Sequence, residues 1–187
     1  IIKQYNTKGY TPVIFGDAHH PEVIGLMGYS QGQGIVISSA EDVTTLPEEK
    51  RFVVVSQTTQ DVDAYKEVCS AIKARFPEAV IFDTICDETY TRQKEVRSLA
   101  AQVDSMVIVG GYNSGNTMRL YQIARSTGKP AFHIETEGEL KDSWFSSAGT
   151  VGVTAGASTP NWMIKKVIER LRTMGKRKQS FASLLTK

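Results

Sequence analysis

Short apolar runs alternate with segments of helical periodicity along most of this chain, and this alternation constrains the fold more than any other feature. Each run holds three to five residues and ends in a polar segment. Strands that are apolar along their whole length are typical of parallel sheets covered by helices on both faces. The strand-like runs span residues 12–16, 34–37, 52–55, 79–82, 106–109, 131–134 and 151–153.

The intervening segments carry their apolar residues on one helical face, and Cys69 lies on such a face, so we expect it in the core. The pattern predicts an α/β protein with two small three-layer α/β/α domains and mostly parallel sheets. We place the domains at residues 1–85 and 86–175, and interpret 176–187 as a polar linker or tail. The predicted helices span residues 61–76, 92–102, 116–127 and 161–174.

The charge balance and the cysteine count exclude several classes of protein. With 22 basic against 20 acidic residues, the chain is not a globally basic nucleic-acid binder. No apolar run approaches the ~18 residues of a membrane span, and no charged start precedes an apolar segment as in a secretory signal. Two cysteines are too few for a secreted disulfide framework. We therefore expect a cytoplasmic protein with no membrane partner and, for these domains, no nucleic acid.

Polar loops follow four of the strand-like runs, at residues 17–22, 56–60, 110–116 and 154–160. Open α/β sheets bind ligands at the carboxyl ends of their strands, where helix N-termini attract anions. Helix capping alone can explain any one of these loops, because Ser, Thr and Asn are preferred caps. Four loops of similar character favour a phosphate-bearing ligand. None matches the P-loop or GxGxxG fingerprint, which argues against ordinary nucleotide binding.

Two segments add groups that can perform chemistry. The His20 imidazole can donate to a phosphate and the Glu22 carboxylate can relay protons, although His19 and His20 can equally shape the turn before a helix that begins at Pro21. Cys86 follows a strand-like run beside polar residues, where a thiol is either a ligand or nucleophile, or a half-buried free thiol. One cysteine cannot by itself hold an iron–sulfur cluster or a structural zinc.

Together these segments resemble the LytB/IspH family of 4-hydroxy-3-methylbut-2-enyl diphosphate reductases, which act in the methylerythritol phosphate route to isoprenoids. Five blocks in the family's order carry the resemblance, which extends over residues 16–160. The blocks are His20-Pro21-Glu22-Val23, Gln57-Thr58-Thr59-Gln60, Thr84-Ile85-Cys86 with Arg92-Gln93, Asn113-Ser114-Gly115-Asn116-Thr117 with Arg119-Leu120, and residues 151–160.

The resemblance implies a trefoil of three α/β domains around a 4Fe-4S cluster that three cysteines hold. Cys86 matches the third of these cysteines. Glu22 matches the acid of the proton-delivery network, and Thr58 matches the threonine that hydrogen-bonds the substrate hydroxyl and passes the proton on. Gly115 stands where some members have a second serine, so its backbone N–H can serve there. The implied substrate-binding residues are His20, Thr59, Asn113, Ser114, Gly115, Asn116 and Ser158.

The activity implied by the resemblance is a reductive dehydroxylation. The small-molecule substrate, an allylic alcohol diphosphate, would yield isopentenyl and dimethylallyl diphosphate. A ferredoxin or flavodoxin would supply the two electrons.

The family's first domain and its first two cluster cysteines have no counterpart in this sequence. Since Ile1, Ile2 and Tyr5 look like the tail of a helix, we expect a fragment of the second and third domains, without a cluster and inactive alone. An inactive anion-binding fragment and a non-redox binding module are therefore alternatives to an enzyme. The tail at 180–185 weakly resembles the start of a ribosomal protein built of RNA-binding OB-fold repeats, so such repeats are one expected continuation.

Overall fold

A computed structural model describes residues 1–174 and the backbone of residues 180–183. The chain divides into two compact units, Ile1–Tyr90 and Thr91–Lys187. Much of the predicted linker or tail at 176–187 lies outside the described residues. Within the part of the chain that is described, no helix is both long and apolar enough to cross a bilayer.

The first unit contains one sheet of four parallel strands in the order β2-β1-β3-β4. A 3-10 helix at Glu41–Thr45 lies between the second and third strands. The elements in chain order are α1 (Ile2–Asn6), β1 (Thr11–Phe15), α2 (Pro21–Tyr29), β2 (Ile35–Ile37), β3 (Phe52–Ser56), α3 (Val62–Arg75) and β4 (Val80–Ile81).

The second unit repeats this strand order in its own parallel sheet, as β6-β5-β7-β8. Two 3-10 helices, Glu137–Glu139 and Asp142–Phe145, lie between the second and third strands. The division between the units falls within α4. The elements in chain order are α4 (Asp87–Gln102), β5 (Ser105–Val109), α5 (Gly115–Ser126), β6 (Ala131–Ile134), β7 (Thr150–Ala155), α6 (Asn161–Met174) and β8 (Ser180–Ser183).

Each sheet is buried on both faces, which confirms the predicted three-layer α/β architecture. Along β1, Val13 and Phe15 pack into one apolar cluster with α3, whereas Ile14 packs into another cluster on the opposite face. Along β5, Val107 and Ile108 likewise enter clusters on opposite faces. Because successive strand side chains point to opposite faces, a strand covered on both faces needs consecutive apolar residues to fill both layers.

Polar side chains at the helix starts explain where three of the helices begin. His20, Asp61 and Ser114 are the N-caps of α2, α3 and α5, and each accepts a hydrogen bond from a backbone N–H of the first turn. Such caps satisfy amide groups that have no partner within the helix. Pro21, which lacks an N–H to satisfy, occupies the first position of α2.

The strand register brings the polar loops together within each unit. Phe15 at the end of β1 pairs with Ser56 at the end of β3, so the loops after these strands begin side by side. In the second unit, Val109 and Ala155 pair in the same way at the ends of β5 and β7. Each unit therefore presents two neighbouring loops at the carboxyl edge of its sheet, where open α/β sheets bind ligands.

Candidate functional site

His20 occupies the N-cap of α2 with its ring already oriented. Its Nδ1 accepts a hydrogen bond from the backbone N–H of Glu22 at 3.2 Å. An accepting Nδ1 places the proton of a neutral imidazole on Nε2, which becomes the ring's donor. The local fold thus prepares His20 to donate to an anion, in addition to shaping the turn.

Glu22, in the first turn of α2, reaches across to the loop after β3. One carboxylate oxygen accepts from the backbone N–H of Thr58 at 2.9 Å, and the other accepts from the Thr58 hydroxyl at 3.0 Å. Glu22 is half-buried and Thr58 is exposed. A carboxyl group and a hydroxyl at this distance can pass a proton between them, since each is a donor and an acceptor once the acid is protonated.

A cavity of about 340 Å³ opens beside this pair within the first unit. Its wall is mostly apolar and includes Leu26, Tyr29 and Val55, whereas Glu22 and Thr58 supply polar groups. An apolar cavity with a few polar groups is the usual form of a small-molecule site.

Gln57 connects the two loops of the first unit, although its role was not predicted. Its side chain is almost fully buried, and its Oε1 accepts from the backbone N–H of Asp17 at 3.0 Å. Its Nε2 donates to the hydroxyl of Thr59 at 3.1 Å, so one buried amide joins the loop before His20 to the loop that carries Thr58. Thr59, one of the predicted substrate-binding residues, therefore accepts a hydrogen bond from this amide.

Cys86 lies at the start of α4, with its backbone fixed to the Thr58 loop. Its N–H donates to the carbonyl of Thr58 at 3.1 Å, and its side chain is exposed. Just before it, the Thr84 hydroxyl accepts from the N–H of Ser56 and donates to the Ser56 carbonyl, each at 2.8 Å. The Thr84 side chain thereby bonds to the backbone of β3 beyond the end of β4. These bonds fix the position of the chain just before Cys86.

The described residues can supply one cysteine ligand to an iron–sulfur cluster, but not all the ligands that a cluster needs. Cys86 offers an exposed thiol, but no group of three His, Cys, Asp or Glu side chains that could hold a metal occurs in the described part of the chain. Cys69, on α3, is half-buried against the apolar cluster that also contains Val13 and Phe15. This burial raises the pKa of its thiol. Its packing agrees with the predicted core position.

In the second unit, Ser114 and Asn116 lie at the N-terminus of α5. The Ser114 Oγ accepts from both the N–H and the hydroxyl of Thr117, at 3.2 and 3.0 Å. The side-chain amide nitrogen of Asn116 is buried and has no hydrogen-bond partner among the described residues. Buried donors without partners are rare in folded proteins, and the Oγ of Ser105 is a second such atom among the described residues. Asn113 precedes the cap and is exposed, and Gly115 is the first residue of the helix.

The neighbouring loop after β7 approaches this helix start closely. Ser158 is exposed in this loop, and the Thr159 hydroxyl donates to the carbonyl of Val109 at 3.0 Å. A Cβ atom at Gly110 would lie 2.8 Å from the Oγ1 atoms of both Thr117 and Thr159. The register between β5 and β7, and the absence of that side chain, thus bring the loops of Ser114 and Ser158 to one sheet edge.

An acidic latch, which we define as Tyr112, Glu135 and Glu139, anchors the loop that leads to Ser114. Glu135 accepts from the N–H of Tyr112 at 2.8 Å, and the Tyr112 hydroxyl donates to Glu139. Burial opposes ionisation of Glu139, but hydrogen bonds from Tyr112, Thr136 and Glu135 outweigh it and lower its pKa. The bond to Glu139 raises the pKa of Tyr112 to about 12.

A family model described as LytB protein matches residues 1–172 of this sequence. The chain belongs to the LytB family. Curated relatives named 4-hydroxy-3-methylbut-2-enyl diphosphate reductase include those of Geobacter sulfurreducens, 44% identical over 95% of this chain, and Citrifermentans bemidjiense, 47% identical over 96%. The relative of Aquifex aeolicus is 43% identical over 91%. The chain spans 63%, 63% and 60% of the lengths of these relatives.

Two solved structures resemble the chain. The E-1-hydroxy-2-methyl-but-2-enyl-4-diphosphate reductase from Plasmodium falciparum has a TM-score of 0.87 at 22% identity, which shows a shared fold; the match covers all of this chain and 60% of that one. A second, described as an (E)-4-hydroxy-3-methyl-but-2-enyl diphosphate reductase, is 42% identical with a TM-score of 0.51, over 92% of this chain and 62% of that one. The predicted family membership is confirmed.

The structure groups the predicted residues by unit. His20, Glu22, Thr58, Thr59 and Cys86 lie in the loops and helix starts of the first unit, where the Glu22 and Thr58 side chains are in direct contact. The second group lies in the loops of the second unit and consists of Asn113, Ser114, Gly115, Asn116 and Ser158. Their individual roles stay predictions.

Proposed function

We propose that this chain is the diphosphate-binding and proton-delivering part of a cytoplasmic 4-hydroxy-3-methylbut-2-enyl diphosphate reductase. The observation that carries the proposal is the contact of Glu22 with Thr58, beside an apolar cavity within the same unit. Relatives 42–47% identical to the chain bear the name of that enzyme. In this assignment the units correspond to the second and third domains of the enzyme.

The proposed diphosphate contacts are neutral donors in the second unit and, in the first unit, the His20 imidazole. Ser114, Asn116 and Ser158 offer hydroxyl and amide groups, and the helix dipole of α5 favours an anion at its N-terminus. Gly115 adds a backbone N–H, and Asn113 and Thr59 are further substrate contacts. His20 donates through Nε2. The buried amide nitrogen of Asn116, which has no partner among the described residues, supports this assignment.

Protonation of the leaving hydroxyl is the task of Glu22 and Thr58. The substrate exchanges its C–OH bond for a C–H bond, with two electrons and two protons consumed and one water released. Glu22 donates a proton through the Thr58 hydroxyl to the departing oxygen, because hydroxide is a poorer leaving group than water. Both oxygens of the Glu22 carboxylate are held by Thr58, so the acid is oriented before the substrate binds.

A 4Fe-4S cluster, with electrons from a ferredoxin or flavodoxin, supplies the two electrons of this reaction when it is bound. Cys86 would hold one of its irons, since its thiol is exposed next to the Thr58 loop. The remaining ligands would come from elsewhere than the described residues.

The decisive experiment is E22Q in the complete enzyme that contains this sequence. Turnover should fall at least about a hundredfold while the cluster absorbance is unchanged, because the amide keeps the shape but delivers no proton. E22D, which keeps the acid, is the matched control. Turnover of E22Q within a few-fold of the unchanged enzyme would contradict the proposal.

A second candidate is an anion-binding chain without redox activity, favoured by the single exposed thiol of the described residues. Anaerobic treatment of the chain with iron and sulfide tests this second candidate. A stable cluster on this chain alone would contradict the second candidate. Binding of inorganic pyrophosphate without a cluster would agree with it, and with a role as part of the larger enzyme.

A further inference from the structure

We propose that Thr117 is a positioning residue that directs the hydroxyl proton of Ser114 toward the bound diphosphate. The proposal rests on the function proposed above, in which Ser114 binds that group. Thr117 does not reach the substrate itself: its side chain is only 1% exposed.

Two hydrogen bonds to the Ser114 oxygen leave its hydroxyl able to act only as a donor. A serine hydroxyl has one proton to donate and two lone pairs that accept. Both lone pairs are used, one by the N–H of Thr117 at 3.2 Å and one by its hydroxyl at 3.0 Å. Ser114 can then only donate, and its proton points away from both donors. Phosphate oxygens at neutral pH are mostly acceptors, so a hydroxyl fixed as a donor suits them.

An ordinary serine N-cap needs only the first of these two bonds. The bond from the Thr117 hydroxyl is additional, and it does not satisfy any group of the helix backbone. This bond restricts the rotation of the Ser114 hydroxyl. Without it, the Ser114 proton could turn toward Thr117 instead of pointing outward. The second bond gives the buried Thr117 hydroxyl a partner, and in doing so it also fixes the orientation of the Ser114 hydroxyl, which helix capping alone does not require.

The surroundings of Thr117 hold its side chain in this orientation. Its Oγ1 lies 2.8 Å from where a Cβ atom would stand at Gly110, and closer still to such an atom at Gly156. Its Cγ2 lies 3.0 Å from the Gly110 position. Glycine at the ends of β5 and β7 thus makes the space that lets the threonine reach Ser114. Gly110, with φ of +151°, also adopts a backbone conformation that other residues rarely adopt.

The test compares T117V with T117S by calorimetric titration of the chain with inorganic pyrophosphate. Valine keeps the shape but not the hydroxyl, and we expect it to weaken binding by about five- to tenfold, the effect of one neutral hydrogen bond. Serine keeps the hydroxyl and should bind within about twofold of the unchanged chain. T117A gives a second variant without the hydroxyl, should T117V not fold. Binding by T117V or T117A equal to that of T117S would overturn the proposal.

A double-mutant cycle with S114A separates positioning from general damage to the loop. Once the Ser114 hydroxyl is absent, T117V should cause no further loss of affinity. A full additional loss in the S114A background would show that Thr117 acts by another route and would overturn the proposal. If S114A itself binds pyrophosphate like the unchanged chain, the proposed function fails as well. If S114A weakens binding and T117V does not, only the role of Thr117 fails.

Discussion

The two units of this chain have the same strand order but present different chemistry at the same edge of the sheet. The first unit presents an imidazole, a carboxyl and a thiol, those of His20, Glu22 and Cys86. The second presents neutral donors, the hydroxyl of Ser114 and the amide of Asn116. Proton transfer needs a group that exchanges protons, as the Glu22 carboxyl can, whereas hydroxyl and amide donors bind an anion without changing their own charge near neutral pH.

The difference teaches that the sheet supplies the placement and the loops supply the chemistry. In each unit, the loop after the first strand lies beside the loop after the third, because those strands are neighbours in register. In the first unit this adjacency brings Glu22 to Thr58, and in the second it brings Thr117 close to Gly156. We therefore interpret the first unit as the one that carries the reacting acid, with His20 and Thr59 as further substrate contacts, and the second as the one that supplies most donors to the anion.

The largest effect outside Glu22 is expected at Thr58, in the unit that carries the reacting acid. T58V in the complete enzyme removes the hydroxyl that we propose passes the proton, and turnover should then fall by about tenfold to a hundredfold. T58S keeps the hydroxyl and is the control, measured in the same assay. If T58V and T58S turn over alike, the Thr58 hydroxyl carries no proton and the comparison of the units loses its basis.

A glycine substitution tests the packing of the unit that supplies most donors to the anion. In G156A the new methyl would collide with the Thr117 Oγ1, so we expect a loss of about 1–3 kcal/mol in the free energy of unfolding, as for other overpacked sites. Pyrophosphate affinity should fall with it, because Thr117 can no longer meet Ser114. Urea unfolding and calorimetric titration measure the two effects.

Gly28, in the first unit, gives a matched control for that substitution. A Cβ atom there would meet nothing within 4 Å, and the residue lies in α2. G28A should leave stability unchanged or raise it by up to about 1 kcal/mol, since alanine is the better helix former. An equal loss of unfolding free energy in G156A and G28A would show that crowding at Thr117 does not affect stability.

The smallest effect concerns the acidic latch and the pH dependence of stability. Because the pKa of Glu139 is lowered in the folded chain, its ionised form contributes stability at pH values above the ordinary glutamate value of 4.5. That contribution is lost as the pH falls through the folded pKa. Urea unfolding at pH 7 and at pH values below about 4 should show a smaller pH-dependent loss in E139Q than in the unchanged chain.

Tyr112 provides the partner variant for this comparison. Y112F removes the hydroxyl that donates to Glu139, so the effects of Y112F and E139Q should not add at pH 7. Additive effects of the two substitutions on the free energy of unfolding would show that the Tyr112–Glu139 bond does not stabilise the fold. The same pH dependence in E139Q as in the unchanged chain would show the same for the Glu139 carboxylate.

The alternation of apolar runs was enough to predict the sheets, because β1, β3 and β5 are buried on both faces and are apolar except for Thr11, Ser56 and Ser105 at their ends. The caps His20 and Ser114 could also be predicted, since their bonds are local. The roles of Gln57 and Thr117 could not be predicted from composition or spacing. Gln57 reaches the N–H of Asp17, forty residues earlier, and Thr117 owes its place to glycines on two other segments.

The strand β8 shows the same limit. Its residues 180–183 follow a run of basic residues, which led to the interpretation of a polar tail at 176–187. In the structure their backbone continues the second sheet beside β7. An edge strand has only one neighbour, so its sequence is less constrained toward apolar residues than that of β5 or β7.

The central claim, that the first unit carries the reacting acid and the second supplies most donors to the anion, is tested most directly by steady-state kinetics of E22Q and N116A side by side in the complete enzyme. The account predicts that E22Q lowers kcat with KM nearly unchanged, because Glu22 acts on the leaving oxygen alone. It predicts that N116A raises KM by about tenfold with a much smaller change in kcat, because Asn116 binds substrate and transition state alike. The same pattern of kcat and KM in both variants would contradict the division between the units.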